Sequence, residues 1–120
     1  MDLAKLENPR SRSAPGWKIP GDISLLLRCH AEGCFLAYQV LPALGEVAKA
    51  DGETRQGAWS TLLDRWSRAE RQALATDSCF EALRARPLSG PLAHGALRYY
   101  AAVRRLRNHA RRMIERLDVG

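Results

Sequence analysis

No stretch of this 120-residue chain is apolar enough to cross a bilayer. The longest candidate, residues 23–47, is interrupted by Arg28, His30, Glu32, Gln39 and Glu46. A spanning helix needs about 20 predominantly apolar residues, so a buried helix is expected there and no membrane partner. Cysteines are scarce: Cys29, Cys34 and Cys79 are odd in number and have no paired spacing, which excludes a disulfide framework. The opening residues show no charged-then-apolar leader with a small-residue cleavage site. Reduced thiols in a cytoplasm are therefore expected. Strand-like alternation and internal repeats are missing too, and with no strand there is no strand-borne glycine-rich loop to cradle a phosphate.

Metal and catalytic patterns are equally thin. Cys29, His30 and Cys34 come nearest to a ligand set, but zinc takes about four converging ligands, usually founded on a tight Cys-x-x-Cys or His pair. Buried thiols beside a satisfied histidine are the expectation, with no metal and no cofactor. A cysteine nucleophile with His30, His94 or His109 as base has only residue types in its favour. No catalytic residue is assigned, no small-molecule substrate is implied, and a non-enzymatic protein is expected.

What is present suits one helical domain. The length allows a single core without staples, and the balance of charged (27%) and hydrophobic (46%) residues is that of a globular chain rather than a disordered one. Residues 1–21 hold Pro9, Pro15, Pro20, Gly16 and Gly21 among Ser and Arg. Proline removes backbone donors and restricts its neighbours, so an extended basic arm is expected, with Trp17 and Ile19 able to pin its end to the core. A helical-bundle domain over residues 22–120 follows.

Asp22 is the expected N-cap of a first long helix running to Ala50. Its two apolar tracks (Ile23, Leu27, Cys34, Ala37, Leu41, Leu44, Ala48; and Leu26, Cys29, Leu36, Val40, Ala43, Val47) leave one polar line: Arg28, Glu32, Phe35, Gln39, Pro42, Glu46, Lys49. A helix apolar over most of its circumference belongs at the centre, touching neighbours on two sides. Pro42 is expected to kink it or split it near Tyr38. Asp51-Gly52-Glu53 reads as a turn. A second helix follows to about Ala75, with Trp59, Leu62, Trp66, Ala69 and Ala73 on one track and mixed charge opposite. Ser78 with Glu81 matches a capping box for a short helix ending at Pro87, and Ser89 is a cap for the last helix. That helix carries a heptad seam: Leu92, Ala96, Tyr99, Val103, Leu106, Ala110, Met113, Leu117. The expected fold is all-α, an antiparallel bundle of three long helices plus one short helix.

Charge is what distinguishes this last helix. The net charge of the chain is +6, yet residues 91–120 alone hold seven bases against two acids, while residues 22–90 are nearly balanced, with eight bases against nine acids. Arg98, Arg105 and Arg112 recur every seven residues on the outward side, and Arg104 and Arg111 lie on the adjacent line. Arg107 and Arg116 flank the seam, where their stems can pack on the core. Guanidinium grips phosphate bidentately, and like charges at this spacing repel one another in the absence of a partner. Two readings of the five arginines stand side by side: an ordinary solvated helix face, and a site for nucleic-acid backbone, RNA or single-stranded DNA. No helix-turn-helix, zinc spacing or ladder of exposed aromatics suggests base reading, so contacts without sequence preference are expected. The competing reading is an interaction or adaptor module using the tryptophan helix and the seam, with an acidic protein as a further occupant of the arginines.

In size, helical pattern and basic outer face the chain resembles the small α-helical subunits of CRISPR effector complexes. That resemblance implies a subunit of an antiviral-defence assembly that lines the groove beside guide and target strands, contacts sugar-phosphate backbone without sequence preference, and packs against copies of itself or larger subunits. It rests on class features and carries over no individual residue.

Overall fold

The computed structural model describes residues 20–85 and 90–119. Those residues are almost entirely helical and contain no strand. α1 spans Gly21–Phe35 and runs through a π-helical turn, Leu36–Val40, into α2, Leu41–Lys49. α3 spans Gly52–Arg84 and α4 Gly90–Val119. The arm through Ile19 and the segment 86–89, with the expected cap at Ser89, lie outside the described residues.

α1, the π turn and α2 form one continuous helix that lies between the other two, as expected, but it buries a narrower stripe than its sequence suggests: Ile23 and Leu27 of the first apolar track are 36% and 57% exposed, while Glu32 of the polar line is fully buried. Both α3 and α4 pack their backbones against it, while α3 and α4 meet each other mainly through side chains. Leu25, Cys29, Leu36, Val40 and Val47 are fully buried on this helix, facing Leu62 and Ala69 of α3 and Ala96, Val103 and Ala110 of α4. The interruption expected near Tyr38 takes the form of a π-helical turn, Leu36–Val40, joining two α-helical segments just ahead of Pro42. The turn before it widens to π geometry, in which the Leu41 amide donates to the Leu36 carbonyl. This wider spacing accommodates a residue that has no amide hydrogen to donate. Arg65 of α3 donates to the Gln39 carbonyl at 3.1 Å inside this turn.

Two terminus readings need correction. Asp22 is not the N-cap: Pro20 holds that position, and Asp22 accepts the Ile23 amide at 2.8 Å from within the first turn. The short helix capped by Ser78 is absent as a separate element, because α3 runs 33 residues without a break. No Gly or Pro interrupts residues 76–84, and Ser78 lies well inside the helix, where a cap cannot form. The turn expected at Asp51-Gly52-Glu53 is met only at its start: Asp51 is the N-cap of α3, Gly52 opens the helix at φ 57°, a left-handed conformation that costs glycine little, and Glu53 lies in the first helical turn. At the far end of the bundle Arg55 donates to the Leu117 carbonyl at 3.3 Å, placing a cation on the C-terminal turn of α4.

The heptad seam of α4 is rotated relative to expectation. Ala96, Val103 and Ala110 are buried as predicted, but the residues between them in the core are Tyr100, Arg107 and Ile114. Tyr99, Leu106 and Met113 are only half-buried, and Leu92 is 45% exposed. An arginine thus occupies a core position, and burying its charge requires compensation.

Candidate nucleic-acid interface

That compensation comes from both other helices. Arg107 of α4 is 8% exposed, and Glu32 of α1 is 0% exposed. The guanidinium engages Glu32 as a fork, Nε to Oε2 at 2.6 Å and Nη2 to Oε1 at 2.9 Å. Its remaining edge turns to Asp77 of α3, Nη1 lying 3.1 and 3.2 Å from the two carboxylate oxygens. Tyr100 donates its hydroxyl to Asp77 Oδ1 at 2.7 Å, and its ring stacks on Phe80 with centroids 4.2 Å apart. Every buried side-chain nitrogen and oxygen among the described residues has a partner. Burial opposes the charged form of Arg107, but the hydrogen bonds and charge of Glu32, followed by the charge of Asp77, outweigh it and raise its pKa. Burial, then the hydrogen bond and charge of Asp77, push the Tyr100 phenol up to about 12. Cys29 is raised to about 11, first by burial and then by the charge of Glu32.

This cluster fixes the rotation of α4 and therefore decides where its other arginines point. Arg98, Arg105 and Arg112 lie opposite the buried stripe and are exposed. Arg104 and Arg111, also exposed, lie about 100° around the axis from that line, taking 3.6 residues per turn, and border α3. The Arg104 guanidinium sits 5.8 Å from the Tyr100 ring centroid, near the outer limit of a cation–π contact. Among the described residues none of the five lies within 4.0 Å of a carboxylate. On α3, Arg68 and Arg84 each lie beside an acid on their own helix, while Arg55, Arg65 and Arg71 donate to the Leu117 carbonyl, the Gln39 carbonyl and Ser67 Oγ.

Between α3 and α4, Arg111 joins Trp66, Ala69, Glu70, Ala73, Leu74, Asp77 and Arg107 around a cleft of about 430 Å³. The sequence did not indicate this cleft, because it depends on the rotation of α4. Trp59 and Trp66 pack half-buried against the core as one track of α3. The histidine and thiol noted in the sequence do approach: Cys34 Sγ lies 3.6 Å from His30 Nε2, and His30 Nδ1 lies 3.4 Å from the Tyr99 hydroxyl. All three cysteines are free. Among the described residues no three His, Cys, Asp or Glu side chains converge as a metal-ligand group, and no helix is long and apolar enough to cross a membrane. No family model, curated protein or solved structure matches this chain.

Proposed function

We propose that this chain is a non-enzymatic helical subunit that holds a nucleic-acid backbone along α4, without sequence preference, inside a larger assembly such as a CRISPR effector complex. The observation that carries the reading is the set of five exposed guanidinium groups, Arg98, Arg104, Arg105, Arg111 and Arg112, none with a carboxylate partner among the described residues. Within each line the arginines stand seven residues, about 10 Å, apart at ~1.5 Å per residue, a spaced row of cations that a polyanion laid along the helix can meet. The buried Arg107 cluster supports the same reading by fixing the helix rotation, so that a strand meets a pre-set row of donors. In the adaptor reading the tryptophan helix and the heptad seam are the contact surfaces; Trp59 and Trp66 are half-buried against the core. The seam's central residues Ala96, Val103 and Ala110 are spent on packing within the chain.

Fluorescence anisotropy with labelled single-stranded and duplex oligonucleotides at low salt tests the proposal. The wild-type chain binds, and Arg98→Glu/Arg105→Glu/Arg112→Glu binds far more weakly, while its helical circular dichroism is retained. A folded triple variant with undiminished affinity rejects it.

A further inference from the structure

The cleft between α3 and α4 lies beside one of the two arginine lines, and Arg111 belongs to both features. Its apolar wall is formed by Trp66, Ala69, Ala73 and Leu74. Leu74 is 69% exposed, the largest exposure among the large aliphatic side chains of α3. Arg104 stands seven residues before Arg111, about 10 Å along the helix at ~1.5 Å per residue. An apolar wall with one aromatic side chain, edged by guanidinium groups, matches the chemistry of one nucleotide: a base that buries its faces, attached to phosphates that need cations.

Two acids also line the cleft, and they shape the inference. Asp77 is engaged by Arg107 and Tyr100, so its charge is compensated within the protein. Glu70 is exposed and has no cation within 4.0 Å among the described residues. It weakens the local field that would attract a phosphate.

Building on the nucleic-acid reading above, we propose that this cleft receives an unpaired base of a single strand, packed against Trp66 and Leu74, while Arg104 and Arg111 hold the adjoining phosphates. A duplex keeps its bases stacked inside and cannot offer one without unpairing. The chain therefore distinguishes single strands from duplexes by access to the cleft rather than by sequence.

The test compares three labelled probes of equal length at low salt: a single-stranded DNA, the same strand with abasic sites throughout, and its duplex. The single strand binds about tenfold tighter than the abasic strand, as expected from the loss of one stacked base, and it quenches tryptophan fluorescence where the abasic strand does not. Trp66→Leu removes both the affinity difference and the quenching. Leu74→Glu, a change at an exposed position, removes the affinity difference and decides the matter alone if Trp66→Leu fails to fold. Glu70→Gln tightens binding of all three probes. Equal affinity for the base-containing and abasic strands overturns the cleft proposal and leaves the backbone reading standing. Absence of binding by every probe overturns both.

Discussion

Replacing Arg107 with methionine keeps much of its stem volume but leaves Glu32, which is 0% exposed, as a buried carboxylate without a counter-ion. Breaking a buried pair from one side costs about 3–5 kcal/mol, and Arg107→Met should fall in that range. Glu32→Met is milder, about 2–3 kcal/mol, because the guanidinium keeps Asp77 and loses only charge-assisted hydrogen bonds. The double variant Arg107→Met/Glu32→Met removes both charges and fills the space with apolar groups. Such replacements are commonly neutral or stabilising, so it should lie within about 1 kcal/mol of wild type. The coupling energy of the cycle is then at least ~4 kcal/mol, the signature of groups acting as one unit. Asp77→Asn should cost about 1 kcal/mol or less, because the Asp77 side chain is 42% exposed and solvent screens its share. Urea unfolding followed by circular dichroism measures all four variants. Additive single and double effects, or an Arg107→Met cost below ~1 kcal/mol, would refute the view that this cluster fixes the rotation of α4.

Other outcomes follow from the same geometry. Cys29 and Tyr100 both hold their protons more tightly when folded, with pKa values raised from 9.0 to about 11 and from 10.0 to about 12. The stability they contribute is therefore fully present below pH 9 and is lost as pH rises through the folded values. The urea midpoint should fall across that window, and Tyr100→Phe should flatten its upper part; an unchanged profile in Tyr100→Phe would argue against a buried phenol bonded to Asp77. A Cβ added at Gly57, inside α3, meets nothing within 4 Å, so Gly57→Ala should raise stability by about 1 kcal/mol through helix propensity. Gly52→Ala should lower it by a similar amount, since φ there is +57°; thermal melts that reverse this order would contradict the turn geometry. With Cys29 fully buried, a thiol reagent at pH 8 should label Cys34 and Cys79 before Cys29, and the reverse order would mean that the core opens near Glu32.

Much of the fold could be read directly from the sequence. The central position of the first helix follows from the track holding Cys29, Leu36, Val40, Ala43 and Val47, although the second track expected beside it is largely exposed or half-buried, and the packing of α3 follows from Leu62, Ala69 and Ala73. The rotation of α4 was harder to read. Tyr99, Leu106 and Met113 look more apolar than Tyr100, Arg107 and Ile114, so a seam judged by residue type selects the wrong partner track for Ala96, Val103 and Ala110. The burial of Arg107 depends on Glu32, 75 positions earlier, and on Asp77, 30 positions earlier, and no local pattern joins them. One clue was available: Ala93, Tyr100, Arg107 and Ile114 also recur at heptad spacing, and Glu32 stands between fully apolar neighbours one turn away at Cys29 and Leu36. The false short helix arose because a capping-box motif also occurs within continuous helices, where nothing frees Ser78 to cap. The five exposed arginines were legible because solvent exposure follows from a one-sign face, and the cleft beside Arg111 was not, because it exists only once the rotation is set.

The most direct test of the account is the salt dependence of single-strand binding by the wild-type chain and by Arg98→Glu/Arg105→Glu/Arg112→Glu. Each neutralised phosphate contributes ~0.7 to the slope of log K against log salt. Five contacts predict a wild-type slope of about −3.5, and removing three contacts should reduce its magnitude by about two, with affinity largely lost. A slope near zero for wild type, or one unchanged in the folded variant, would mean that these arginines hold no phosphates.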